Sequence, residues 1–162
     1  MHSSLSGGTG SGVMTLLLER LGFQFDRKTL LINNLLYSNN YRHSPNIVEA
    51  YNAVLSTGAL LEHSSLVMVN TNHGLSNHCQ EHQGIETPSL RQLNSLNSQA
   101  MSHLVLGSPS LRDIRNNLVP YSRINFVLPA YKEVKHTCES GDVESVTKEL
   151  FQPHQYLCHT DY

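Results

Sequence analysis

Ser6–Gly12 reads SGGTGSG, four glycines in seven residues, and an apolar run, Val13–Leu21, follows at once. Glycine lets a backbone approach an anion closely and adopts positive φ without strain. Thr9 and Ser11 add hydroxyls at the start of the helix, and a helix N-terminus presents unpaired N–H groups with partial positive charge. The stretch reads as a phosphate-binding loop, which places the chain in the α/β class. Such a loop normally joins a strand to a helix, yet only five residues precede it, too few for a full strand.

Working outward, Val13, Met14, Leu16, Leu17, Leu18 and Leu21 give a helix with a broad apolar face, and Gly22 suits its C-cap. Leu30–Tyr37 has the length of a buried strand. Asn46 is placed to cap a second helix in which Ile47, Tyr51, Val54 and Leu55 share a stripe, ending at Gly58. Leu66–Val69 supplies another strand, whereas Asn70–Gly84 lacks hydrophobic period and reads as irregular. Thr87-Pro88 has the form of an N-cap with proline at the first helical position. Leu90, Leu93, Leu96, Ala100, Met101 and Leu104 then recur at helical spacing, predicting a core helix of about five turns that Gly107, Ser108 and Pro109 end. Ser110 and Asp113 have capping-box spacing for a short helix through Asn117, and Tyr121–Leu128 reads as a strand. A last helix is expected from Asp142 to Phe151, with Val143, Val146 and Leu150 inward.

The composition points to a soluble chain. Its 162 residues, 39% hydrophobic, suit a moderate core, and a net charge of −2 with 15% charged residues leaves no electrostatic footprint for nucleic acid or an anionic membrane. No apolar run reaches the ~18 residues of a membrane span, and no secretion signal opens the chain, so the cytoplasm is the default. Cys79, Cys138 and Cys158 are odd in number and widely spaced, as reduced thiols are.

Taken in order, SGGTGSG with its helix, IVEAYNAVLST, LLEHS, TPSLRQLN and NNLVPYSRINFVLPAY resemble the middle part of the tubulin family, its α branch in particular. The resemblance implies a doubly wound GTP-binding domain joined through a core helix to a smaller second domain, with residues 1–106 in the first and 107–162 beginning the second. It also implies a cytoskeletal subunit in the cytoplasm that polymerises head to tail with β-tubulin-like partners into microtubules and hydrolyses the partner's GTP. On that correspondence the first strands, the first nucleotide loop and the acidic loop serving Mg²⁺ are expected to be absent, which makes the chain an incomplete, partly degraded relative.

Carried onto this sequence, the resemblance sets Ser4, Gly8 and Thr9 against the GTP phosphates, with Gly7 and Gly10 completing the loop and Ser6 where the family has another glycine. Glu49 matches the acid that accepts hydrogen bonds from the ribose hydroxyls; by itself it reads as a solvated helix carboxylate. Asn94 matches the asparagine that reads the guanine edge, but Leu90 replaces the aromatic ring stacked on the base, a loss of about 1 kcal/mol on the scale of aromatic pairs. Asn72, or Asn70, falls near a second guanine-contacting asparagine, in a segment one residue longer than the family pattern. That segment and Asn33–Ser44 depart from the family abruptly, as after a local reading-frame disturbance. Asp113 matches the acid that positions water against the next subunit's nucleotide, although Ser108 and Ser110 change that loop and a cap with Ser110 explains the carboxylate equally.

His73, His78, Cys79 and His82 offer zinc donors within ten residues, with His154, Cys158 and His159 as a weaker set, but the spacing fits no established finger and accidental enrichment is the better account. No metal site is therefore expected. Two short strands also look too few to cover three or four helices, so GTP affinity far below that of an intact family member is expected. The alternative reading is a non-enzymatic tubulin remnant with little or no GTP binding.

Overall fold

Three residues suffice for the strand ahead of the glycine loop. In the computed structural model, which describes residues 1–25, 32–37, 47–108, 110–132 and 143–158, β1 (His2–Ser4) runs parallel to β2 (Ile32–Tyr37) with Ser4 beside Leu36. The described elements continue as α1 (Gly8–Gln24), α2 (Val48–His63), β3 (Leu66–Thr71), α3 (Asn72–Gln83), α4 (Leu90–Gly107), α5 (Leu111–Leu118), β4 (Phe126–Val127) and α6 (Val143–Leu150), with a 3₁₀ turn at Pro153–Gln155. Among the described residues the sheet has four parallel strands in the order β1-β2-β3-β4, not two.

Strand alternation assigns the two faces. Leu35 and Val67 point to α1 and α2, where they pack with Met14, Leu18 and Leu60. Leu36, one residue on, points to the opposite face and packs against the cluster of Leu75, Cys79, Leu93, Leu96, Ala100 and Leu157 from α3, α4 and the chain beyond the 3₁₀ turn. Helices thus cover both faces of a parallel sheet, the α/β doubly wound arrangement.

Several local expectations are corrected. Gly22 and Gly58 lie inside α1 and α2, whose C-caps are Phe25 and Ser64. An interior glycine costs only about 1 kcal/mol, which packing readily outweighs. The apolar stripe of α2 faces outward: Ile47, Tyr51, Val54 and Leu55 are all more than two-thirds exposed. Its inward face instead carries the small residues Ala53, Ser56 and Thr57 together with Leu60, which packs in the cluster with Met14 and Leu18 of α1.

Asn70–Gly84 is regular, comprising the end of β3 and all of α3. Thr71 caps the helix by accepting from Gly74 N–H at 3.0 Å, Gly84 ends it at φ 67°, and the buried face is Leu75, His78 and Cys79. Helical period was hidden because a histidine and a cysteine occupy core positions. For α4 the N-cap is Ser89 rather than Thr87, joined to Gln92 in a capping box. The expected strand Tyr121–Leu128 contracts to Phe126–Val127. α6 has no buried residue, and Val143 is exposed. Asn46, Pro109, Asp142, Cys138 and His159 lie outside the described residues.

Candidate nucleotide-binding edge

The C-terminal ends of β1, β2 and β3 meet at one edge of the sheet. Ser4 aligns with Leu36 and Leu36 with Asn70, so the glycine loop after β1 and Asn72 after β3 leave the sheet at the same level, on either side of β2. In open α/β sheets such an edge is where ligands bind.

The loop itself is short. Gly7 is the N-cap of α1 and its N–H donates to Ser4 Oγ at 3.3 Å, closing the turn. Gly8, Thr9 and Gly10 form the exposed first helical turn, where N–H groups have no intrahelical acceptor. No side chain caps this terminus, and the first turn holds no acid. The dipole and the N–H groups are therefore directed at whatever lies beyond the loop.

The glycines of the loop do not use positive φ, which among the described glycines belongs to Gly84 alone. What two of them provide is proximity: a Cβ on Gly7 would lie 3.2 Å from Ser4 Oγ, and one on Gly10 would lie 3.3 Å from Ser4 Cβ and 3.4 Å from Ser4 N. Gly12 has open space instead. Ser11 is buried and its hydroxyl donates to Gly7 O, so this serine holds the loop and does not face solvent.

Two residues that sequence reasoning missed fasten the loop to α2. Asn52 Nδ2 donates to Ser6 O at 3.3 Å, and Ser56 Oγ donates to Leu5 O at 3.1 Å. Glu49 stands half-buried in the first turn of α2, three residues before Asn52 and so on the same helical face. That spacing was the available signal.

On the other sheet face, an open groove of about 590 Å³ runs between the strands and α4, lined by His2, Leu36, Asn94, Asn97 and Met101 among others. Asn94 is exposed and faces this groove. Beneath it lies a chain of amides: Asn34 Nδ2 donates to Asn97 Oδ1 at 3.0 Å and to His2 Nδ1 at 3.1 Å, while Asn70 Nδ2 donates to Asn34 Oδ1. Asn70 is fully buried in this chain, so it is Asn72, half-buried as the first residue of α3, that remains open to a ligand. The His2 imidazole is held below its ordinary pKa by burial and then by the N-terminal ammonium, which suits an acceptor nitrogen.

Leu90 projects into solvent, 71% exposed, at the start of α4. Asp113 does not line the groove. It sits exposed in the first turn of α5, where Ser110 Oγ accepts from Arg112 N–H at 3.2 Å. Of the histidine set, His78 and Cys79 are buried core residues, and Cys79 and Cys158 are free thiols whose pKa burial raises.

Comparison with known proteins agrees with this geometry. Residues 1–80 match the model of the Tubulin/FtsZ family, GTPase domain. The chain is 35% identical over 172 residues to the tubulin alpha-1 chain of Arabidopsis thaliana, covering 99% of this chain and 38% of the relative. It is 35% identical over 165 residues to the tubulin alpha chain of Dictyostelium purpureum (95% and 49%), and 33% identical over 169 to the tubulin alpha-3 chain of Saccharomyces cerevisiae (98% and 38%). The chain thus spans less than half the length of these curated relatives. Glycine loop, parallel sheet and matched relatives lead to one conclusion: the chain belongs to the tubulin family and is α-tubulin-like.

Proposed function

We propose that this chain is a GTP-binding, tubulin-like cytoskeletal subunit that holds the nucleotide along the strand-end edge. The observation that carries the reading is the uncapped, acid-free N-terminus of α1 opening from a loop packed against Ser4. Ser4, Gly7, Gly8, Thr9 and Gly10 hold the phosphates, Glu49 accepts from the ribose hydroxyls, and Asn72 and Asn94 contact guanine. The hard cation that accompanies a triphosphate prefers carboxylate oxygens. The first turn of α1 carries none, so Mg²⁺ is assigned only as a companion of the phosphates and no step is derived through it. Residues 1–106 form the nucleotide domain and 107–162 the beginning of the second.

The exposure of Asp113 is compatible with a role across a subunit boundary, toward the nucleotide of a β-tubulin-like partner joined head to tail in a cytoplasmic microtubule. No helix among the described residues is long and apolar enough to cross a membrane. The exposed Leu90 favours a second reading, a non-enzymatic relative with weak base recognition, because an aliphatic side chain lacks the stacking of an aromatic ring.

Titration with a fluorescent GTP analogue separates the two. Saturable binding reduced tenfold or more in Thr9→Ala and in Glu49→Ala, the effect of about 1.5–3 kcal/mol per charge-assisted hydrogen bond, supports the nucleotide site. No binding up to millimolar nucleotide refutes it. Co-sedimentation with assembled microtubules tests incorporation independently of catalysis.

A further inference from the structure

The histidine-rich segment that reads as accidental in sequence ends in an organised cluster. His78, Glu81 and His82 are spaced i, i+3 and i+4 on one face of α3, and the 3₁₀ turn at Pro153–Gln155 brings His154 against them. One ligand atom from each of Glu81, His82 and His154 lies within 4.8 Å of the other two, and His154 Nδ1 is 3.9 Å from Glu81 Oε2.

We propose that Glu81, His82 and His154 bind a divalent transition-metal cation of the zinc class, joining the last turn of α3 to the 3₁₀ turn. Two imidazoles and one carboxylate are a donor set that zinc accepts, with a fourth position left to water. Bonds of about 2.1 Å in a tetrahedral site space the ligands roughly 3.4 Å apart. The Glu81–His154 pair is about 0.5 Å wider than that, and torsion of these accessible side chains closes the difference.

Three further observations support the assignment. The site lies at the C-terminus of α3, where the helix dipole favours a cation. The backbone carrying His154 is already held in place: Gln155 is buried, Tyr131 N–H donates to Gln155 O at 3.1 Å, and Leu157 N–H donates to Pro129 O at 2.9 Å. Finally, the ring of buried His78 lies 4.4 Å from that of His82, and its Nδ1 has no hydrogen-bond partner. Backbone already held by the fold leaves only side-chain torsions to be fixed when metal binds.

The test is calorimetric titration of the full chain with Zn²⁺, and absorption spectroscopy with Co²⁺. One equivalent is expected, with affinity lowered on the order of tenfold or more in His82→Ala, His154→Ala and Glu81→Gln, since even outer-shell partners of bound metals carry ten- to a hundredfold effects. His63→Ala, a histidine in α2, should leave binding unchanged. Binding that survives His154→Ala, or no binding at all, overturns the proposal. Imidazole resonances of the unmutated chain separate a lost ligand from a loosened turn: His82 and His154 must shift together with stoichiometric Zn²⁺, and a shift confined to other histidines also overturns it.

Discussion

Replacing Gly74 by alanine sets two forces against each other. Gly74 lies in the first turn of α3, where alanine is favoured by about 1 kcal/mol on helix propensity alone. The added Cβ, however, would stand 2.6 Å from Leu157 O, 2.7 Å from Leu157 C and 2.9 Å from Cys158 N. Ordinary contacts begin at about 3.5 Å, so the backbone at 157–158 must retreat by roughly 1 Å. It cannot do so freely, because Leu157 O accepts from Thr71 N–H at 3.0 Å, Leu157 N–H donates to Pro129 O at 2.9 Å, and the Leu157 side chain is fully buried. Overpacking costs about 1–3 kcal/mol. Two weakened hydrogen bonds add about 1 kcal/mol each, and subtracting the propensity gain leaves a net loss of about 2–4 kcal/mol. Urea unfolding followed by circular dichroism should show the midpoint fall with an unchanged slope. A midpoint equal to or above that of the parent would refute the close approach of the Leu157 segment to α3.

Other expectations follow from the same packing. Asn97→Leu removes the acceptor for Asn34 and leaves a buried amide short of a partner, lowering stability by about 1–3 kcal/mol in the same unfolding assay. Leu18→Ala, in the fully buried centre of the α1 cluster, should cost about 2–5 kcal/mol and lower the thermal midpoint accordingly. Gly12→Ala meets open space inside α1 and should be neutral or stabilising by up to about 1 kcal/mol, whereas Gly10→Ala crowds Ser4 Cβ and should gain less than Gly12→Ala, a contrast that paired melts can read. His78 has its pKa lowered below 6.5, chiefly by burial. As pH falls below 6.5 the unfolded chain therefore binds the proton first, and stability declines through that window and on toward the folded-state value, while above 6.5 it stays level with respect to this group. Thermal melts across that range should show the decline, and His78→Gln should lessen it, leaving the smaller part that the likewise lowered His2 contributes.

The sequence displayed its fold wherever aliphatic side chains carried the period, and concealed it where other residues took their place. Met14 and Leu18 of α1, the apolar run of β3 and Leu93, Leu96 and Ala100 of α4 were all legible in this way. α3 was not, because His78 and Cys79 fill core positions and only their contacts with Tyr131 and Leu157 reveal them as interior. α2 misled in the opposite direction, since its apolar stripe is exposed while Ser56 turns inward to bond Leu5 O. Of the proposed site, the glycine loop was legible in the residues themselves, whereas Glu49 and Asn94 were indicated only by the family resemblance. Asn70 and Asn72 could not be told apart in the sequence, because what distinguishes them is tertiary: Asn70 lies in β3 with its amide buried against Asn34, while Asn72 opens α3 and is only half-buried.

The buried amides of Asn34, Asn70 and Asn97 have a mechanical corollary. A helix resting on aliphatic side chains alone meets a shallow series of barriers and can creep along a sheet. One bolted through carboxamides cannot, because advancing by a single residue rise of about 1.5 Å breaks a buried bond before another can replace it. Any displacement of α4 relative to β2 should therefore come as a discrete jump between registers, not as drift.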